Sequence, residues 1–202
     1  MKPAYIIFIF LTTLLWISCG NNESNTTKSE ADNTLADTVS YNKYLQRGKE
    51  AAMQTGDILI KNLTGAINEH GTVYAIQFCN TRAIPLTDSM ATQHKTIIKR
   101  VTDKPRNPNN KANAEELQYI QQLKSLLASG QKPQPQLHEK KDTIVGYYPI
   151  VTNTMCMQCH GDKQSIASST LSALNKLYPS DAAIGYQPEE LRGLWVIEMI
   201  KN

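Results

Sequence analysis

Residues 136–160 read QLHEKKDTIVGYYPIVTNTMCMQCH, and the order of features inside this stretch decides the fold. Two β-rich runs, Gln136 to Lys140 and Thr143 to Ile150, are joined by a charged turn at Lys141 and Asp142 and read as a hairpin. The hairpin runs straight into Cys156-Met157-Gln158-Cys159-His160, a C-x-x-C-H pentapeptide with the spacing of a covalent c-type haem attachment. An all-helical cytochrome c usually carries that motif near its N-terminus. Here it lies far along the chain and behind a hairpin, so an antiparallel α+β architecture is expected.

The pentapeptide needs each of its residue types. Two thiols separated by two residues can reach the two vinyl groups along one porphyrin edge, and the next residue, His160, places an imidazole under the iron. Two other readings exist, a C-x-x-C redox disulfide and half of a zinc site. A zinc site would need a second close Cys or His pair, which Cys19 and Cys79 do not form, and no βαβ pattern precedes the motif as in a thioredoxin. One covalent haem c is therefore the expected cofactor.

Outward from this stretch, Tyr41, Tyr44, Leu45, Ala51, Ala52, Ile58, Leu59, Leu63 and Ile67 recur at helical spacing and predict a long N-terminal helical segment ending at Gly71. Thr72 can cap a second helix that carries Ile76 and Cys79 and stops before Pro85. Thr96 to Thr102 reads as a strand, and Pro105 to Asn110 as a loop. Asn113 to Ala128 is the clearest helix, with Asn113 as cap, Glu115 and Glu116 in the first turn, and Leu117, Ile120, Leu123 and Leu127 on one face, stopped by Gly130. Beyond the haem motif, Ser168 to Leu177 reads as a helix broken at Tyr178-Pro179, and Gly193 to Ile200 as a closing strand.

A chain of 202 residues with 41% hydrophobic content is large enough to bury one core. Its formal charge of +3 selects no partner, and with no basic stripe interleaved with aromatics nucleic acid is not an expected one. The N-terminus has its own signal: Lys2, then an apolar run from Ala4 to Ser18, then Cys19. That run is too short for a membrane span and reads as an export signal. Its end at a cysteine resembles a bacterial lipoprotein signal, with Cys19 acylated and serving as the mature N-terminus, although Trp16 departs from the aliphatic residue usual three positions earlier. The expected organisation is a signal at 1–19, a disordered tether at 20–38 and a haem domain at 39–202, anchored by lipid to a membrane on the periplasmic side of the cell envelope.

Cys79 is the remaining cysteine, an unpaired thiol in an exported protein. The local sequence leaves it open between a second iron ligand, where ferric iron would stabilise the thiolate, and a small core hydrophobe. His70, His94, His138, Met53, Met90, Met155, Met157 and Met199 have no local argument for the sixth position. Arg100 and Arg106 are candidate partners for haem propionates, since guanidinium matches carboxylate in bidentate fashion.

From about Tyr41 to its end the chain resembles the bacterial single-haem c domains of PAS-like fold. The resemblance rests on ordered pieces: Ala75-Ile76-Gln77-Phe78-Cys79, then Lys99-Arg100-Val101-Thr102 with Lys104-Pro105-Arg106-Asn107-Pro108-Asn109, then Cys156 to Gly161, then Ala183-Ile184-Gly185-Tyr186 with Leu191-Arg192-Gly193. It implies an antiparallel PAS-like sheet flanked by helices, with His160 and Cys79 as axial ligands to iron, and a redox-responsive or gas-responsive role. No kinase, cyclase or methyl-acceptor module follows Asn202, so a signal would leave through a redox or signalling partner protein.

A thiolate ligand favours ferric iron and lowers its reduction potential. If Cys79 leaves on reduction, an open position arises for a small gas, which is the sensor reading. An electron carrier, with both ligands fixed, is the alternative. A peroxidase-type enzyme would need an open iron and a nearby acid–base pair, for which only His94 or His138 stand available, so no enzymatic activity is expected.

Overall fold

The structure, a computed structural model, describes residues 26–201, with side chains from Thr38 onward. The signal at 1–19, Cys19 and the first tether residues lie outside the described residues. The expected tether at 20–38 overlaps the start of helix α1 (Thr26–His94), and that stretch holds no proline and no glycine beyond Gly20 to interrupt a helix. Two compact units divide between Thr38 and Val39. The second, Val39–Asn202, carries everything described below.

α1 departs from the sequence expectation in length. Gly71, at φ 78° and ψ 174°, breaks its helical backbone as foreseen, but the second arm does not stop before Pro85; it runs through the proline to His94. A proline inside a helix removes one hydrogen bond and crowds the preceding turn. The arm survives because it is held on both sides of the proline, by Ala75 and Ile76 ahead of it and by Met90 behind it, all buried.

Four strands follow the expected order: β1 (Ile97–Val101), β2 (Gln136–Glu139), β3 (Thr143–Val151) and β4 (Leu191–Ile200). They form one antiparallel sheet in the order β1-β4-β3-β2. The hairpin read from the sequence is β2–β3, with Gln136 opposite Tyr147 and Glu139 opposite Ile144. Period-two alternation splits β1, β3 and β4 between two cores. Ile98, Ile144, Tyr148, Trp195, Ile197 and Met199 pack against Tyr44, Ala51, Ala52 and Met90 of α1. Val101, Val145, Tyr147, Leu194 and Val196 face the other way, onto Ile120 and Leu123. Those two belong to α2 (Ala114–Ala128). Fully burying a side chain such as Ile197 or Leu194 stabilises by roughly 1.5–3 kcal/mol. The fold is thus α+β, an antiparallel sheet flanked by helices, with a long helix on its N-terminal side.

The ends of α2 form as its residues dictate. The Asn113 side chain accepts from Glu116 N and the Glu116 carboxylate accepts from Asn113 N, both at 2.9 Å. At the other end Gly130, at φ 76°, lets its N–H reach Leu127 O and that of Gln131 reach Leu126 O, both at 2.9 Å. Beyond β3 come a 3₁₀ turn (Thr154–Cys156), α3 (Met157–His160) and α4 (Ser168–Leu177), the last with the bounds read from sequence. No described helix is long and apolar enough to cross a membrane.

Candidate functional site

Asn153 starts the critical turn. Its side-chain oxygen accepts from Cys156 N at 3.3 Å, closing a 3₁₀ turn that continues into α3. Helical backbone across Cys156, Cys159 and His160 puts the two thiols and the imidazole at i, i+3 and i+4, on one face. The three cysteines at 79, 156 and 159 are free thiols, so no disulfide joins the pair in the motif. Among the described residues no three His, Cys, Asp or Glu side chains converge as a cluster for a metal ion.

The segment 181–186 straps this turn to the loop after β1. Tyr186 N donates to His160 O and Gly185 N to Gly161 O, both at 2.9 Å, and Ala182 N donates to Pro105 O at 3.0 Å. Lys104 Nζ reaches Ile184 O at 2.7 Å. The imidazole is oriented by the same strap: His160 Nδ1 lies 2.6 Å from Ala183 O. A carbonyl can only accept, so Nδ1 carries the proton and Nε2 keeps the free lone pair that a metal requires. Burial holds the pKa of His160 well below the usual histidine range and so keeps the imidazole neutral, with the Arg106 and Arg192 charges adding to this and the Ala183 contact opposing it.

Arg106, expected as a propionate partner, is tied into this strap through Nε and Nη2. Its Nε donates to Asp181 Oδ2 at 2.9 Å, and its Nη2 to Cys159 O at 2.5 Å and Ala183 O at 3.2 Å. The pair is largely buried, with the two side chains 13% and 7% exposed. Asp181 Oδ1 also accepts from Ala183 N at 2.8 Å. The sequence reading missed Asp181 and Ala183 because their roles arise only when residues 75 and 77 positions beyond Arg106 return to it. The Ala183-Ile184-Gly185-Tyr186 stretch did carry a signal, and Gly185 at φ 73° makes its turn.

Cys79 sits on the second arm of α1, half-buried, next to Ile76, which packs with Leu174, Tyr178 and Cys159. Burial pushes the Cys79 thiol up, while the Arg100 and Arg106 charges pull it back. Burial likewise raises Cys159, Arg106 opposes this, and the nearby Cys79 adds to it, which places both sulfurs in one electrostatic neighbourhood. Arg100 stands at its edge. Its guanidinium lies 5.9 Å from the centre of the Trp195 ring, and among the described residues it has neither a carboxylate nor a hydrogen-bond partner. Burial depresses its protonation, whereas Cys79 and Tyr178 favour the charged form.

Tyr186 packs beside His160. Its ring meets His160 edge-on at 6.1 Å and lies under two cations, Lys104 Nζ at 4.4 Å and Arg192 at 5.3 Å. Burial brings Arg192 down to about 10. The Tyr186 hydroxyl is buried and has no hydrogen-bond partner among the described residues.

Of the other sequence candidates, His94 at the end of α1 has a buried Nε2 with no hydrogen-bond partner among the described residues. His70 lies beside Glu69 and Tyr74, and His138 beside Glu115. Met90 and Met199 belong to the core, Met53 is exposed, and Met155 accepts from Thr64. A groove of about 830 Å³, lined in part by Met53, Ile60, Pro133, Tyr148 and Trp195, includes none of the motif residues.

The sequence model of the Tll0287-like family matches residues 21–199. Among solved structures, the chain is similar to the crystal structure of the cyanobacterial haem protein Tll0287, with a TM-score of 0.62 and 20% sequence identity, covering 79% of this chain and 96% of that one. At this identity the likeness concerns the fold. No curated protein sequence matches the chain.

Proposed function

This chain belongs to the Tll0287-like family, and on that premise we propose that it is an exported, lipid-anchored c-type haem protein that serves as a redox or small-gas sensor. The observation that carries the reading is the placement of Cys156, Cys159 and His160 on one helical face, with His160 Nδ1 engaged by Ala183 O so that Nε2 is the nitrogen left for iron. That a solved protein of the same fold is a haem protein supports it.

The remaining residues fit the group. A porphyrin bearing two propionates suits a site that holds a guanidinium without a carboxylate, Arg100, and a buried phenol without a hydrogen-bond partner among the described residues, Tyr186. Arg100, which makes no competing bond among the described residues, and Arg106, whose Nη1 is left over from the strap, are the candidate propionate partners. Haem supplies a one-electron iron couple. Cys156 and Cys159 would hold it covalently, and His160 and Cys79 would ligate its iron, with the Arg100 and Arg106 charges opposing the burial that otherwise keeps the Cys79 thiol protonated.

In the PAS-like sensor reading, Cys79 would be the ligand released on reduction, the second arm of α1 would carry the movement, and a partner protein at the membrane would read it. Cys19 supplies the lipid anchor. The test is the mass and spectrum of the mature protein made in a host that matures c-type cytochromes. One added haem and a c-type spectrum, lost in Cys156→Ala/Cys159→Ala, are expected. A colourless wild-type protein without the added mass would overturn the reading.

A further inference from the structure

Ala183 O is a shared acceptor: it takes the Nδ1 proton of His160 at 2.6 Å and an Nη2 proton of Arg106 at 3.2 Å. A carbonyl oxygen has two lone pairs, so both bonds can be made at once, but they compete for the same electron density. The donor on one side is an ionised guanidinium, whose bonds are the stronger kind. Its other contacts fix where it points, with Asp181 Oδ2 on Nε and Cys159 O on Nη2. Asp181 then closes the loop by accepting Ala183 N–H through its second oxygen. A buried ion pair of this kind is weak support for stability, because desolvation offsets its Coulomb gain. Its place on the acceptor of the imidazole is the informative fact.

We infer that the Arg106–Asp181 pair tunes the iron through His160, by setting how strongly Ala183 O draws on the Nδ1 proton. This rests on the haem reading above. The stronger the acceptor, the more imidazolate character the ring has, and the more its Nε2 stabilises ferric iron. Arg106 weakens that acceptor and so raises the reduction potential; Asp181 restrains Arg106 and so lowers it. Arg106 and Asp181 are positioning residues in this account, acting through His160 without touching the iron.

The two members of the pair therefore shift the potential in opposite directions when removed. Arg106→Gln frees Ala183 O and leaves a carboxylate uncompensated, both of which favour ferric iron. Asp181→Asn leaves a guanidinium uncompensated on the Ala183 and Cys159 carbonyls, which favours ferrous iron. A role confined to bolting the loop has no such sign, since either loss would loosen the same strap.

The experiment is an equilibrium redox titration of the full mature holoprotein and these two variants, with covalent haem counted in each by mass. The expected result is a change of about tenfold or more in the reduced-to-oxidised ratio at fixed potential, about 59 mV for one electron, downward for Arg106→Gln and upward for Asp181→Asn. Arg106→Lys keeps a charge for Asp181 but cannot span to Ala183, and its potential should also fall, by less. That variant carries the test if Arg106→Gln fails to mature. Shifts of the same sign in Arg106 and Asp181 variants, or potentials unmoved within about twofold in coloured protein, would overturn the inference alone. A colourless wild type would remove the haem reading, and this inference with it.

Discussion

Thr64 and Met155 meet across 91 positions of chain, the Thr64 hydroxyl donating to the Met155 sulfur at 3.5 Å. The contact ties the first arm of α1 to the turn that carries Cys156. It also occupies the methionine nearest the motif on its N-terminal side. Met155→Leu is therefore expected to leave the oxidised and reduced spectra unchanged and to cost less than about 1.5 kcal/mol in stability, as volume-conserving swaps do. A changed spectrum in Met155→Leu would mean that this sulfur, and not Cys79, reaches the iron.

Cys79→Ala should behave in the opposite way. Loss of a thiolate ligand is expected to alter the oxidised spectrum and raise the reduction potential, because a donor that stabilises ferric iron is gone. The reduced wild-type protein should take up carbon monoxide if Cys79 detaches on reduction. Identical spectra in Cys79→Ala would exclude sulfur ligation, and refusal of carbon monoxide by the reduced protein would favour an electron carrier over a sensor.

Gly48 is required by its neighbour. A Cβ there would fall inside the Tyr148 hydroxyl, which itself donates to Leu45 O at 3.1 Å. Gly48→Ala should destabilise by about 1–3 kcal/mol through overpacking, measured by urea unfolding. Tyr148→Phe, which removes the obstructing oxygen, should recover part of the loss in the double variant.

Stability should decline at high pH. Burial pushes the phenols of Tyr147 and Tyr148 up from their ordinary value of 10, with Glu115 adding to the rise at Tyr147 and Tyr41 at Tyr148. Above that pH the unfolded chain ionises both, while the folded chain keeps its protons. The folded state then binds more protons than the unfolded, so stability that is fully present below pH 10 is lost as pH rises towards the folded-state values. The slope is at most about 1.4 kcal/mol per pH unit for each phenol. Urea unfolding between about pH 8 and about pH 11 checks this, and Tyr148→Phe should shallow the slope. A flat profile would mean that these phenols ionise equally in both states.

What the sequence made legible was local. The Asn113 cap with Glu116, the Gly130 stop, the β2–β3 hairpin and the Ser168–Leu177 helix are each decided by residues a few positions apart, and each forms as read. The resemblance carried by the ordered motifs holds at the level of the family, whose match, residues 21–199, takes in every one of those motifs. Pro85 misled because its local penalty is overridden by packing at Ile76 and Met90, which sequence spacing cannot weigh. Arg106 drew attention for its charge. Its partners Asp181 and Ala183 approach only in the folded chain, so that its part in the strap was invisible beforehand.

Gly71 leaves α1 jointed. A side chain placed on it would meet nothing within 4 Å, so its conformation is dictated by the backbone and not by crowding. Two levers therefore share one elbow. The nearer is clamped to the sheet by Tyr44, Ala51 and Ala52, while the farther carries the Cys79 sulfur and is pinned again at Met90. A tug on that sulfur can be absorbed as rotation at the elbow without unwinding a turn of either lever.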